Sequence, residues 1–530
     1  MKKVLTIASA LVLSTGAAFS QGLADAYRYA QTGDLNGTAR SMSMGGAFGA
    51  LGGDISVMNS NPAGLAVYRS SEVVATVDVS GASAKTEWQG SSESQSKTKF
   101  NFDNFAYVGY FPTGKDAGVV SWNVGISYNR LKNYSRKYRM SMTGSTGSSM
   151  ADYIAARANL GGLTPDLINE VTDGNNNIIY DPYNNVGDWL SVIGGNTGFM
   201  NYQNGQYVSA FPASSYQHSL TEMEVSESGG IDQYAIAFGM NISEFLLLGA
   251  TVAITDLSYD LSSYYAEDYN AHTNFTSYME LMNGLSTDGT GYSLNVGAIL
   301  RPVDFLRIGV AYNSPTWYKM TDSYYAESTS DIQDNSDMLS YSSPRDAVTD
   351  YKFRTPDKWI FSAAAIFGQT ALLSVDYELM NYRRMRMYDY NGNENVETNT
   401  PIEQLLGFSN TLRVGAEVKV TPQFAVRAGA SWTGSGMNDD LKNGNVEVVT
   451  VGTLPHYTID RGITNYTVGF GYRFTPQFYV DVACVLKTLK EDAYAFSSIY
   501  SNEGTPLATA MPASMKTKTT RVALTLGYKF

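Results

Sequence analysis

Cysteine and histidine are nearly absent from this chain, with one Cys (Cys484) and three His (His218, His272, His456) in 530 residues. A lone thiol forms no intramolecular disulfide, so the fold is not a disulfide scaffold. No histidine falls in a His/Cys/carboxylate cluster of metal-ligand spacing, and a Ser–His catalytic pair has little to be built from. The chain is therefore expected to be no enzyme, to hold no metal and to need no cofactor. Scarce histidine also disfavours a dedicated haem receptor, though not haem as an apolar passenger. Asp389 to Glu397 imitates the start of a calcium loop, but Glu394 stands where that loop needs glycine, so a polar surface turn is the better account. Charged residues are few, at 16%, and a net charge of −13 argues against nucleic acid as a partner. Beyond the N-terminus there is no apolar run long enough for a membrane helix.

Present in excess are aromatics, at 12% with 38 Tyr, and 49 Gly. That balance suits a lipid-embedded barrel whose aromatics gather at the two interfaces. Lys2 and Lys3, the apolar stretch Val4 to Leu13 and the small-residue end Ala18-Phe19-Ser20 read as a secretory signal over residues 1–20. No cysteine follows it, so lipoprotein processing is not expected. The last ten residues alternate throughout. Val522, Leu524, Leu526, Tyr528 and Phe530 fall on one face, and Arg521, Ala523, Thr525, Gly527 and Lys529 on the other. Such an ending reads as the closing strand of an outer-membrane barrel, and as the segment that the barrel assembly machinery would meet.

Alternating segments recur after residue 70 and count to about fourteen strands. They start near Glu72, Phe100, Val119, Ile231, Leu246, Tyr292, Leu306, Phe353, Ala371, Asn410, Phe424, Thr464, Phe478 and Thr519. Short connections fall at 112–118, 243–245, 301–305, 368–370, 421–423 and 475–477. Long ones fall at 81–99, 132–230, 260–290, 321–352, 388–409, 433–463 and 487–518. Short periplasmic turns and long external loops are the barrel rule, which here places both mature termini in the periplasm and the three histidines in external loops. Cys484 falls at an apolar strand position, packed or facing lipid. The expected class is all-β: a transmembrane antiparallel barrel over 71–530, preceded by a hatch over 21–70.

Within the loops, Ala151, Ile154, Ala155 and Ala158 have helical spacing, and Trp189, Leu190 and Ile193 form a second apolar cluster. Tyr278, Leu281, Met282 and Leu285 repeat the helical pattern. These clusters either pack the loops together or expose an apolar catching surface, which makes Leu281, Met282 and Leu285 candidate substrate contacts. Alternation turns Arg307, Lys419, Arg427, Arg473 and Lys529 into the lumen near the periplasmic end. There they either face water or pair with Asp54 and hatch carbonyls.

Before the first strand, Ser41 to Asp54 is a Gly/Ala-rich run, followed by Asn59-Ser-Asn-Pro-Ala-Gly-Leu65. It matches no phosphate-loop pattern, whereas Gly and Ala allow tight turns inside a confined space. With Ala39-Arg40 leading through this run to Asn61-Pro62-Ala63, with Thr355-Pro-Asp-Lys-Trp359 and Val375-Asp-Tyr377 downstream, and with the final aromatic, the chain resembles the FadL/TodX family of outer-membrane transporters, in a Bacteroidetes-like form. The resemblance covers nearly the whole mature chain, and the long loop 132–230 departs from it. It implies a barrel of about fourteen strands in the outer membrane of a Gram-negative bacterium, with an N-terminal hatch plugging its lumen. It further implies passive uptake of hydrophobic small molecules (fatty acids or aromatic hydrocarbons) from loops to an interior pocket, then lateral exit among outer-membrane lipids. The exit lies beside the third strand, here Val119 to Leu131, with Gly125 as candidate kink. Asn61, Pro62 and Ala63 become the hatch and gate residues. The rival reading is a shuttle or assembly protein, since some relatives in the Bacteroidetes serve a type IX secretion pathway.

Overall fold

The computed structural model describes residues 22–144, 147–212, 216–271, 276–331, 338–344, 347–368, 370–501 and 503–530. The expected signal segment 1–20 and His272 lie outside them. Fourteen antiparallel wall strands follow one another around a closed barrel. They are β1 (Glu72–Trp88), β2 (Ser91–Pro112), β3 (Val119–Asn133), β4 (Tyr216–Ile242), β5 (Leu246–Ala271), β6 (Thr276–Val303), β7 (Leu306–Asn313 and Trp317–Asp331), β8 (Ala347–Arg354 and Lys358–Phe367), β9 (Ala371–Asn381), β10 (Phe408–Lys419), β11 (Phe424–Thr433), β12 (Tyr457–Arg473), β13 (Phe478–Tyr494) and β14 (Ala513–Lys529). β14 pairs with β1 from Lys529 opposite Glu72 to Ser514 opposite Glu87, which removes the sheet edge. No described helix is long and apolar enough to cross a membrane; the strands cross it.

The period-two pattern decides which face meets lipid. Val522, Leu524, Leu526, Tyr528 and Phe530 are exposed on the outside, while Ala523 and Thr525 are buried within. Cys484 takes the outward parity of β13, half-buried. Exposed aromatics form two belts. Near the short turns Phe111 stacks on Trp122 at 4.2 Å, and Tyr107 lies 6.1 Å from Phe530. Towards the other end Tyr292 pairs with Trp317 at 5.5 Å, and Tyr312 with Trp359 at 4.9 Å. Amphipathic rings at both interfaces fix the barrel's depth in the bilayer.

The six short connections stand where alternation places them, but most strands run well past their expected outer ends. Residues 81–99 are not a long loop: β1 and β2 continue to a two-residue turn at Gln89-Gly90, both at positive φ (47° and 88°), as a tight hairpin demands. Residues 260–290 are likewise mostly strand, and the helix inferred from Tyr278, Leu281, Met282 and Leu285 does not exist. Leu281 and Leu285 point inward from β6 and are buried, whereas Met282 points outward and is exposed. His218 lies on β4 rather than in a loop, and His456 is buried just before β12. The helices expected in the β3–β4 connection do form, at Met150–Leu160 and Trp189–Asn196. Their apolar residues are buried together, so they pack the loops on one another rather than exposing a greasy face. The turn at Asp389 is closed by its own carboxylate, which accepts from the Asn393 backbone N–H and side chain at 2.8 Å each.

The N-terminal segment corrects the placing of the termini. Its helix Leu23–Ala30 sits at the outer end of the lumen, where Tyr27 donates to Asp460 and Tyr29 meets Thr287. The chain then descends through the barrel by Ala39–Ser43, Ile55–Met58 and Pro62–Val67, and enters the wall at Glu72. Among the described residues, the N-terminal end at Gly22 lies with the helix Leu23–Ala30, whereas the C-terminus lies among the short turns.

Candidate functional site

A polypeptide can cross the inside of a barrel only if the wall makes room and satisfies its backbone groups. Room comes from inward glycines. Gly239, Gly249 and Gly297 face one another across β4, β5 and β6, and the chain from Asn61 to Ala66 lies against them. A Cβ at Gly249 would strike the Pro62 carbonyl carbon, one at Gly297 the Asn61 amide, and one at Gly239 would come within 2.8 Å of the Ala66 nitrogen. On the opposite wall Gly415 and Gly429 are paired, and Met44 and Gly45 press on them. Strand glycines here serve close backbone approach, not flexibility.

Asn61 is the central hatch residue. Its side-chain N–H donates to the Gly49 carbonyl at 2.6 Å and to Ala298 of β6 at 3.3 Å, and its oxygen accepts from the Ala63 N–H at 3.2 Å. One buried amide thus caps Pro62–Val67 and ties two hatch turns to the wall. Gly125 is not a kink: β3 pairs without a break through it on both sides, and its inner face accommodates Met58. The register shifts of β3 lie at Val119/Ser121 and Arg130/Lys132.

The lumenal cations divide into two sets. Arg307 donates to the Leu51 carbonyl of the hatch. Arg427 is buried between Glu417 and Asp481, both at 2.6 Å, and touches neither Asp54 nor a hatch carbonyl. Lys419, Arg473 and Lys529 line a cavity of about 230 Å³ at the periplasmic mouth, and Lys529 approaches Glu72 at 3.8 Å. Asp54 is occupied inside the hatch by Thr38 and Ser56. From the hatch itself, Arg40 lies 2.9 Å from Glu417 and holds the Gly53 carbonyl at 3.1 Å. Glu417 therefore joins hatch and wall through Arg40 and Arg427. Asp376 adds a second tie, accepting from the Gly49 N–H at 2.9 Å. Sequence reasoning named the cations and missed these carboxylates, although Glu417 and Lys419 share one inward face.

Higher in the lumen, Lys132 donates to the Arg28 and Gln31 carbonyls at 2.7 and 3.1 Å. Arg521 holds the Leu35 carbonyl at 2.6 Å while binding Asp78 and Asp103. Lys487 pairs with Asp34 of the hatch. Burial pushes the Asp34 carboxyl up, but Lys487, together with Lys132 and Arg521, outweighs it and holds it below the usual range. For Asp25 burial wins over Arg28, and its carboxyl lies above the usual range.

Above this polar layer one apolar cluster joins the hatch helix (Leu23, Tyr27) to the loop helices (Ile154, Trp189, Ile193) and to Leu281 and Leu285. Beneath the helix a cavity of about 250 Å³ extends from Leu131 and Lys132 on β3 to Pro356, between the two halves of β8. Here the backbone ladder of the wall is interrupted. β3 pairs with β2 only from Asn104 opposite Asn129 to Pro112 opposite Ser121. Asp103 is bulged out of the β1–β2 ladder, and among the described residues Ser91 to Asp103 makes no ladder with β3. Asn101 and Asn133 bridge the seam by a side-chain bond of 3.0 Å.

The family model described as outer membrane protein transport protein (OMPP1/FadL/TodX) matches residues 214–530. Among solved structures, a FadL homologue from Pseudomonas aeruginosa aligns with a TM-score of 0.51 at 14% identity, covering 94% of this chain and 99% of that one. A deltaS2 mutant of the TodX monoaromatic hydrocarbon channel aligns with a TM-score of 0.53 at 13% identity, over 94% of this chain and all of that one. At such identities the likeness is one of fold. No curated protein sequence matches the chain.

Proposed function

The chain belongs to the OMPP1/FadL/TodX family of outer-membrane transport proteins, and from that membership we propose that it is a passive channel for hydrophobic compounds, long-chain fatty acids or aromatic hydrocarbons. In this reading residues 21–70 are the hatch and 71–530 the barrel. Ligand enters among the outer loops and displaces contacts of the apolar cluster that includes Leu281 and Leu285. It then reaches the interior cavity and leaves sideways into the membrane. The observation that carries the reading is the break in the β2–β3 ladder beside that cavity. A hydrocarbon chain gains by passing through this seam into lipid and gains nothing from the charged periplasmic mouth. The hatch is the gate: Asn61, Pro62 and Ala63 stiffen its corner, and Glu417, Asp376 and Arg307 hold it down.

The test is uptake by cells with and without the protein. Radiolabelled oleate and toluene should enter faster when it is present, without any energy source. Equal entry of both in its absence would remove the channel reading.

A further inference from the structure

On β13, β14 and β1 the alternation continues above the apolar band and brings lysines into one cross-strand row. Lys516 stands directly opposite Lys490 on one side and Lys85 on the other. Lys518 lies opposite Thr488 and Ser83, two residues nearer the membrane, and shares the same outward face. All four are exposed. Lys85 reaches Glu87 at 2.7 Å, and Asp492 in the row above is taken by Arg461. Lys490, Lys516 and Lys518 have no carboxylate at ion-pair distance among the described residues.

Like charges directly opposite one another, with Cβ atoms about 5 Å apart, destabilise a sheet. This row exists in a chain with 50 acidic and 37 basic residues, so it is no by-product of a basic composition. Its height is informative. On the same strands the lipid-facing apolar surface ends at Leu486, Val522 and Val79. Lys518 and Lys516 lie about 13 and 20 Å further along the strand, which at the tilt of such barrels is about 10–15 Å above the hydrocarbon edge. Lysine stems can bend back towards the membrane from there. The row thus faces the headgroup layer of the outer leaflet.

We propose that Lys490, Lys516 and Lys518 bind phosphate groups of outer-leaflet lipid headgroups, with Lys85 at the edge of the site. The bound phosphates cancel the repulsion that the bare row would suffer. The proposal rests on the outer-membrane placement and not on what the channel carries.

Thermal unfolding of the purified protein in phosphate-free detergent tests it, with lipopolysaccharide as probe. Wild type should gain several degrees on addition of lipopolysaccharide, and the triple variant Lys490→Gln/Lys516→Gln/Lys518→Gln should gain less than a third of that. Without lipid the variant should be as stable as wild type or more so. Dephosphorylated lipopolysaccharide should stabilise neither. Equal gains for wild type and variant, or equal gains from the dephosphorylated lipid, would overturn the proposal. A full gain from inorganic phosphate alone would overturn the lipid assignment. Should the triple variant fail to insert, Lys516→Gln removes the centre of the row and is read by the same comparison.

Discussion

Replacing Glu417 by Gln keeps the shape of the hatch–wall junction and removes its shared charge. In the native protein Glu417 faces Arg40 at 2.9 Å and Arg427 at 2.6 Å, and its own side chain is 5% exposed. Breaking a buried pair by removing one partner costs about 3–5 kcal/mol. Here the loss is softened on both sides. Arg427 keeps Asp481, and Arg40 keeps the Gly53 carbonyl and is about a quarter exposed towards the periplasmic cavity. A value below that range, about 2 kcal/mol, corresponds to roughly a 30-fold shift in the docking equilibrium of the hatch. Arg427 and Asp481 remain paired within the wall, so the barrel itself should insert normally. In planar bilayers Glu417→Gln should open markedly more often than wild type, and Arg40→Gln should do the same. The double variant should add little to either, because both remove one contact. Unchanged conductance in Glu417→Gln, at normal surface levels, would refute the claim that this junction holds the hatch.

Three further outcomes are expected. Asn61→Ala should fold and insert but alter hydrophobic uptake at matched surface levels, since it releases Gly49 and Ala298 together; identical uptake of several substrates would remove Asn61 from the gate. His456 is buried beside the outer cluster, and burial together with Arg28 pulls its imidazole down to about 3. The folded loops therefore resist its protonation, and their stability is full above about pH 6.5 and declines as pH falls towards 3. Protection of the amides across 443–456 against hydrogen exchange, measured relative to the intrinsic rate at each pH, should fall between pH 7.5 and 4.5, and less so in His456→Gln. Finally, an epitope inserted at the exposed tip Gly174-Asn175 should be bound by antibody on intact cells, whereas one in the turns at 421–423 or 475–477 should not; the opposite pattern would invert the topology.

Much of this architecture was legible because a barrel wall obeys one period. Val522 to Phe530 told lipid from lumen by parity alone, and the six short turns followed from where parity paused. The tops of the strands were hidden for a physical reason. Outside the membrane both faces of a strand are polar, so Ser91 to Lys99 on β2 carries no contrast to read. Leu281 and Leu285 misled because a spacing of four satisfies a helix and a strand alike. Asn61 stood out through its proline neighbour, but the carboxylates that hold the hatch are single residues whose meaning appears only when Arg40 arrives from nearly four hundred residues away. The seam between β2 and β3 had no sequence signal beyond the resemblance to the family, since a missing ladder is a fact about pairing and not about composition.

The proposed lateral exit is tested by closing and reopening the β2–β3 seam. Asn101 and Asn133 touch across the β2–β3 seam, and Cys484 is the only native thiol. With Cys484→Ala as background, Asn101→Cys and Asn133→Cys should form a disulfide that pins the seam. Oleate uptake should then fall to the level of cells lacking the protein, and reductant should restore it. Full uptake through a fully cross-linked seam would contradict the account.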